Sequence, residues 1–436
     1  MRIVLHTVTL DRIFQIDKIL SRTSIFDYWL ICRRPVFQKY AKRTGSFERT
    51  NNLRSLGPSE RQTKNALIIN NPKFESLGKL DPWMSSINQS ISETANVHIL
   101  SNCVNGCNVI KGDLFANESI SASSVVLKTL KILPVLIFLS SIVAVVLKVN
   151  PLNVLRVVMS ASAGFSIQYQ KMSSLLRSLK LDTVYLTDGI SNLGLISACR
   201  TNGIRVVEVQ HGLITSRIPN YHFEIDIENP KIFPNEILLY SSAWNESSAF
   251  PIGMHLGYFN SDILQLPDWL PKNQSKSNTI VLIGQRSHMD ILVKDVLRLQ
   301  RHLKLLGLFY SIIVVPHPSD SVEKYLAQFD KYSDISVLKQ GSYLKNWPVA
   351  FIGAYSTTVF ELLNLGKTVF VKEMFVQFLG DFASEMGLEV YDAPEMICDK
   401  LITDPAKVLL SKKQICGSVF SDEFKEGCKV AVSAGY

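Results

Sequence analysis

The sequence predicts an α/β fold of two Rossmann-like, doubly wound domains facing a cleft. Short apolar runs rich in β-branched residues alternate with helical stretches in both halves. Its 436 residues exceed one ordinary domain. Glycine- or proline-marked polar turns follow the apolar runs, at the carboxyl ends where open parallel sheets bind ligands. The expected division is a first domain over 1–235 with an apolar segment at 132–147, a connection over 236–276, and a second domain over 277–436.

Residues 1–64 show mixed periodicity, and the basic, polar passage from Arg33 to Lys64 reads as loop. Short strands are expected at 66–70 (ALIIN) and 97–100 (VHIL), with a helical stretch between them. Ile132 to Leu147 is an uncharged run of sixteen residues between Lys131 and Lys148. As a helix it reaches about 24 Å, short of the roughly 30 Å hydrocarbon core. Three readings stay open for it: a buried domain helix, a monotopic insertion and a true span. A less apolar stretch at 152–167 is broken by Arg156.

Met172, Leu175, Leu176 and Leu179 then fall at helical spacing. TVYL (183–186) is a strand closed by Thr187-Asp188-Gly189, a helix ends at Gly203, and Ile204 to Val209 completes a β-α-β unit. The polar, proline-bearing connection carries ILLYS (237–241) and GMHLGY, strands that belong to the first domain or to the crossover. Beyond it, strands are expected at 279–284, 310–315, 335–338, 349–353 and 368–371, with helices near 290–306 and 357–365.

A formal charge of +8 and a pI near 9.0 favour anionic partners, such as nucleotide diphosphates, acidic glycans or an anionic membrane face. No zinc-finger spacing, RNP-type strand or dense basic helix points to nucleic acid, which is not expected as a partner. Seven scattered cysteines argue against a disulfide framework and for a reducing compartment. Cys103 and Cys107 lack a second pair, so no metal site is expected. The opening MRIVLHTVTLDRIF is too soon interrupted by Asp11 and Arg12 for a secretory signal, which leads to an expected place inside the cell.

The residues that can carry chemistry sit at strand ends. Gln210, His211 and Gly212 follow the strand 204–209; an imidazole there suits a general base or a phosphate contact, and a structural histidine is the plainer alternative. Asp188 closes the preceding strand as a second possible base, though Asp-Gly also marks ordinary turns. Tyr221 and His222, just beyond, are candidates for the acceptor side, with loop packing as the plainer reading. In the second half, His317 stands between Pro316 and Pro318 with few ring directions available. Ser356, Thr357 and Thr358 open a helix, where unpaired N–H groups and the dipole favour an anion; such hydroxyls are also ordinary N-caps. Glu361, one turn on, is in position for a ribose hydroxyl. Gly284, Gln285 and Arg286 form a third loop able to approach a pyrophosphate.

The QHG after a first-domain strand, the HP of VVPHPSD and the helix start AYSTTVFELLNLGK together resemble bacterial glycosyltransferases of GT-B architecture. The nearest likeness is to those of capsule, lipooligosaccharide and O-antigen assembly, including the sialyltransferase and polysialyltransferase group. The resemblance covers roughly residues 180–375. It implies a CMP-activated donor contacted by His317, Pro318, Ser356 and Thr357. That group's paired-acid D/E-D/E-G motif is present only as Thr187-Asp188-Gly189, which moves the expected base to His211. A histidine base before glycine is similar to the wall teichoic acid polymerases, which use CDP-glycerol. The reading is therefore an inverting, metal-independent transferase without a cofactor, the nucleotide-sugar being a substrate. It acts on a glycan or lipid-linked glycan acceptor, in the cytoplasm at the inner membrane face, with peripheral contact to anionic lipid. The alternatives are a CDP-glycerol-type glycerophosphotransferase and a non-enzymatic nucleotide- or glycan-binding protein.

Overall fold

The computed structural model describes residues 4–21, 23, 25–40, 65–69, 82–92, 95–100, 109–110, 122–210, 212–215, 221–240, 244, 250–258, 270–271, 276–285, 288–317, 322–338, 342–365, 367–379 and 387–403. The chain divides into two compact units, Met1–Ile263 and Leu264–Asp422. Each holds a parallel sheet with helical crossovers, so the fold class is α/β with two Rossmann-like units, the content of the GT-B architecture.

The first unit opens with helices α1 (Val4–Leu20) and α2 (Phe26–Tyr40). Then come β1 (Asn65–Ile69), α3 (Pro82–Ile91), β2 (Asn96–Leu100) and β3 (Val109–Ile110). Two long helices follow, α4 (Ala122–Leu147) and α5 (Pro151–Ser178). The unit closes with β4 (Thr183–Leu186), α6 (Leu193–Thr201), β5 (Arg205–Val209), β6 (Glu236–Leu239) and β7 (His255–Tyr258). The seven strands run β3-β2-β1-β4-β5-β6-β7, every pair parallel. Thus β6 and β7, inside the stretch read as a connection, complete the first sheet. Strand β6 is buried along its length and pairs with β5, while β7, half-buried at the edge, pairs with β6.

The reading of Arg33 to Lys64 as loop is corrected over its first eight residues. Arg33 to Tyr40 are the second half of α2; the remainder, 41–64, lies outside the described residues. The polar sequence is misleading because burial concerns only one stripe, where Trp29, Cys32 and Val36 recur at helical spacing and face the later long helix α5 (Pro151–Ser178), whose Val158 carbonyl lies 3.7 Å from Cys32 Sγ. Inside this helical layer Asp17 accepts hydrogen bonds from the Arg33 guanidinium (2.7 Å) and from Trp29 Nε1 (2.7 Å), so the buried charge is paired.

Helix α5 runs unbroken through Arg156, whose side chain is exposed. Asn150 caps it, its side-chain oxygen accepting from Leu152 N at 2.9 Å, and Pro151 takes the first helical position. At 28 residues it is about 42 Å long. Its first half buries Val154 and Val158 in the helical layer, and its second half buries Met172 and Leu176 against the sheet residues Leu67, Val184 and Leu186. One helix therefore welds the helical layer to the sheet. Near that join Gly194 opens α6 directly against the Phe165 carbonyl of α5, where a Cβ has no room.

The second unit reads β8 (Lys276–Ile283), α7 (Met289–Leu305), β9 (Ser311–Val315), α8 (Val322–Phe329), β10 (Ile335–Val337) and β11 (Trp347–Gly353). It continues with α9 (Thr357–Asn364), β12 (Val369–Lys372), α10 (Glu373–Val376), β13 (Glu389–Tyr391) and α11 (Glu395–Thr403). Its parallel order is β10-β9-β8-β11-β12-β13. The apolar run at 132–147 is helical throughout within α4, and among the described residues no helix is long and apolar enough to cross a membrane.

Candidate functional site

In an open parallel sheet the ligand crevice forms where chain order reverses, outside the carboxyl ends of the two strands that flank the reversal. The second unit reverses between β8 and β11: from β8 the chain steps outward to β9 and β10, and from β11 it steps the other way. The register pairs Leu282 with Ile352, which sets the loop after Ile283 beside the loop after Gly353. Gly284 and the Ala354-Tyr355-Ser356 turn therefore share one crevice end.

Each loop has a local reason for its shape. Gly284 donates its N–H to Val315 O at 2.8 Å, and a Cβ there would lie 2.7 Å from Tyr325 Oη and 2.8 Å from His317 N. The glycine thus lets the β8 and β9 ends close on each other. The His317 N–H points to Tyr325 Oη at 3.4 Å, fixing the turn that carries the imidazole, which is half-buried. Ser356, extended at φ −147° and ψ 159°, is the N-cap of α9, yet its hydroxyl makes no capping bond and is buried with no hydrogen-bond partner among the described residues. A buried orphan hydroxyl beside unpaired helix N–H groups is suited to an anionic oxygen. Thr358 hydrogen-bonds the Glu361 carboxyl, which burial pushes up to about 7. Half-protonated near neutrality, it can donate to a ligand hydroxyl or accept from one.

Two residues at this end carried no expectation. His288 caps α7, its Nε2 lying 3.0 Å from Tyr355 Oη, and both rings pack with Phe375, at centroid distances of 4.9 and 6.0 Å. Burial lowers the His288 pKa, favouring the neutral ring. Such a half-buried aromatic group offers a planar ligand a stacking wall. Gln285 is half-buried at the loop; Arg286, Pro318 and the Thr357 side chain lie outside what is described.

The first unit reverses between β1 and β4, so its crevice lies at the end of β4, at Thr187 and Asp188. Asp188 is left-handed at φ 52° and ψ 54°, a conformation that aspartate tolerates better than most residues. Its Oδ1 accepts from Arg34 Nη1 at 2.7 Å and its Oδ2 from Ser191 Oγ at 2.6 Å, with about a third of the side chain exposed. Helix α2 thus delivers a guanidinium to a carboxylate 154 positions away. From α5, Gln168 donates to Ser191 O at 2.8 Å and pins the same loop.

Behind the loop stands Glu208, buried on β5. It accepts from the Gly189 N–H and makes a short hydrogen bond with the buried Tyr221 hydroxyl. Burial, opposed by those two bonds, pushes the Glu208 carboxyl up to about 7; burial and then the adjoining Glu208 raise the Tyr221 hydroxyl well above its ordinary value. A Cβ at Gly189 would collide with the Glu208 carboxyl and lie 2.7 Å from Tyr221 Oη, so this bracing requires glycine. Tyr221, expected on the acceptor side, is instead a buried member of this brace. Gln210 has a scaffold role too: its amide donates to Gly212 O and accepts from Tyr240 N, both at 2.9 Å, tying the ends of β5 and β6. Gly212 is half-buried, with open space where a Cβ would stand. His222 packs edge-on against Phe14 at 5.6 Å. His211 lies outside the described residues.

The sequence reasoning missed Arg34, Glu208, His288 and Tyr355. Only Glu208 left a signal, an acid directly after the apolar pair Val206-Val207 in the strand RVVEV. Among the described residues, no cluster of three or more His, Cys, Asp or Glu is arranged to hold a metal ion.

No family model matches the chain, and no curated protein matches it. Among solved structures, it is similar to a UDP-GlcNAc 2-epimerase of Methanocaldococcus jannaschii in complex with UDP-GlcNAc and UDP. The identity is 14%, with 85% of this chain and 99% of that one covered and a TM-score of 0.46. It is likewise similar to Neisseria meningitidis UDP-GlcNAc 2-epimerase bound to UDP-GlcNAc, at 10% identity, 85% and 100% coverage and a TM-score of 0.49. Acinetobacter baumannii MurG follows at 11% identity, 85% and 98% coverage and a TM-score of 0.42.

Proposed function

We propose that the protein is a transferase that moves a sugar from a nucleotide-activated donor to an acceptor hydroxyl. The observation that carries the reading is the crevice end of the second sheet, where the orphan Ser356 hydroxyl, the first N–H groups of α9 and the narrow Gly284 turn meet. An anionic phosphate fits this end: the helix N-terminus stabilises its charge and Ser356 gains the partner it lacks. Glu361 is the proposed ribose contact, the ring of His317 a phosphate contact, and Tyr355 with His288 a wall for the base.

In the proposed step, the acceptor oxygen attacks the anomeric carbon from the side opposite the nucleotide and a new C–O bond forms. The old bond between that carbon and the phosphate oxygen breaks, and its electron pair leaves with the phosphate. The proton of the acceptor goes to His211, the proposed base, which follows β5 directly beside β4. Asp188, partly open and held by Arg34, is the second choice of base. The acceptor class carried by this reading is a glycan hydroxyl, and a CMP-sugar is the donor first tested.

A thermal-shift series with CMP, CDP, UDP and GDP tests the donor half. A nucleotide at 100 times its Kd adds about 2.7 kcal/mol. Ser356→Ala should abolish that shift, whereas His211→Ala should retain it and lose sugar transfer. Sugar transfer that survives in both His211→Ala and Asp188→Asn would refute the assigned chemistry, and no shift with any nucleotide would refute the donor site.

A further inference from the structure

The proposal goes beyond the transferase reading and does not depend on it. Helix α4 buries Leu136, Leu139, Val143, Ala144 and Leu147 in the helical layer, so one face is fixed to the protein. The opposite face is uncharged and mostly apolar, interrupted by Ser141, whose hydroxyl is turned to the Ile137 carbonyl at 2.9 Å. Phe138 is 58% exposed, Val145 76% and Ile137 47%, and Pro134 lies on the same side; Leu152 at the start of α5 adds 64%. Spacings of four and seven residues place Pro134, Phe138 and Val145 on one stripe. An uncharged helix surface of this length facing solvent marks an interaction site.

Charge identifies what covers it. Exposed Lys131 stands at one end of the stripe, and exposed Lys148 and Arg156 at the other. From 119 to 181 the sequence carries seven Lys and Arg and no Asp or Glu. Cations at both ends of an apolar stripe place both ends at one depth, in the plane of a headgroup layer. The buried face, locked against α1 and α5, prevents the helix from turning its whole circumference to lipid. A protein partner would need an acidic rim around an apolar centre, whereas an anionic bilayer supplies both along the entire helix.

We propose that the exposed face of α4, with Phe138 and Val145 at its centre, seats the protein peripherally on an anionic phospholipid bilayer. The test is flotation of the full chain with vesicles of phosphatidylcholine and phosphatidylglycerol at 7:3, beside vesicles of phosphatidylcholine alone. Binding is expected to the anionic vesicles, with release in 0.5 M NaCl. Phe138→Ser/Val145→Ser should lower the partition coefficient at least tenfold while the far-UV spectrum and Tm stay unchanged. Should the double variant fold poorly, Lys131→Ser/Lys148→Ser should lower anionic binding at least threefold. Equal binding to both vesicle types, unchanged binding of well-folded variants, retention after carbonate extraction, or a lipid-free dimer that the double variant dissolves would each overturn it.

Discussion

Replacing Glu208 by Gln removes one buried charge and keeps the shape of the brace behind Asp188. The native carboxyl stands at about 7 against an ordinary 4.5 because burial penalises its ionised form. A carboxyl raised on folding contributes stability fully below about pH 4.5, and that contribution is lost as pH rises through about 7. At 1.36 kcal/mol for each pKa unit the whole effect is about 3 kcal/mol, most of which falls between pH 5 and pH 8. Gln is neutral throughout: its carbonyl still accepts from Gly189 N–H and its amide donates to Tyr221 Oη. Urea unfolding of both proteins at pH 5, 6, 7 and 8, with the transitions of the two units fitted separately, gives the difference between variant and wild type. That difference should move in favour of the variant by about 2–3 kcal/mol from pH 5 to pH 8. Parallel profiles, within about 0.5 kcal/mol at every pH, would show that Glu208 is ionised without penalty and that the brace is not built on a neutral acid.

Four other outcomes are expected. Gly194→Ala drives a Cβ into the Phe165 carbonyl and should cost about 1–3 kcal/mol in urea unfolding. Asp17→Ala leaves the Arg33 guanidinium buried without its carboxylate; about 3–5 kcal/mol should be lost from the first unit's transition. Ser356→Ala removes a buried hydroxyl that has no partner, so ligand-free stability should hold or rise by up to about 1 kcal/mol in the same assay. Glu361→Gln addresses the donor end: in the wild type, nucleotide binding should weaken by about tenfold as pH rises from 6 to 8 and the carboxyl gains charge near the phosphate, and calorimetry should find no such slope in the variant.

The sequence by itself determined where strands and helices alternate. In TVYL, RVVEV and SIIVV, β-branched runs report their own burial, and the glycines and prolines after them report the turns. Gly284 and Ser356 were legible for the same reason, since turn and cap chemistry is local. Helix α2 was not, because its burial is a narrow stripe matched to α5, more than a hundred residues further on. The supports of the Asp188 loop were equally hidden: Arg34 reaches Asp188 from α2 and Gln168 reaches Ser191 from α5, and no local pattern links positions so far apart. Tyr221 and Gln210 show the converse, polar residues beside a strand end whose hydrogen bonds turn inward once β5 and β6 pair. Sequence order set the elements. Only tertiary packing decided which polar groups at the strand ends brace the backbone and which stay open to a ligand, because that depends on whether a distant residue fills the hydrogen bond.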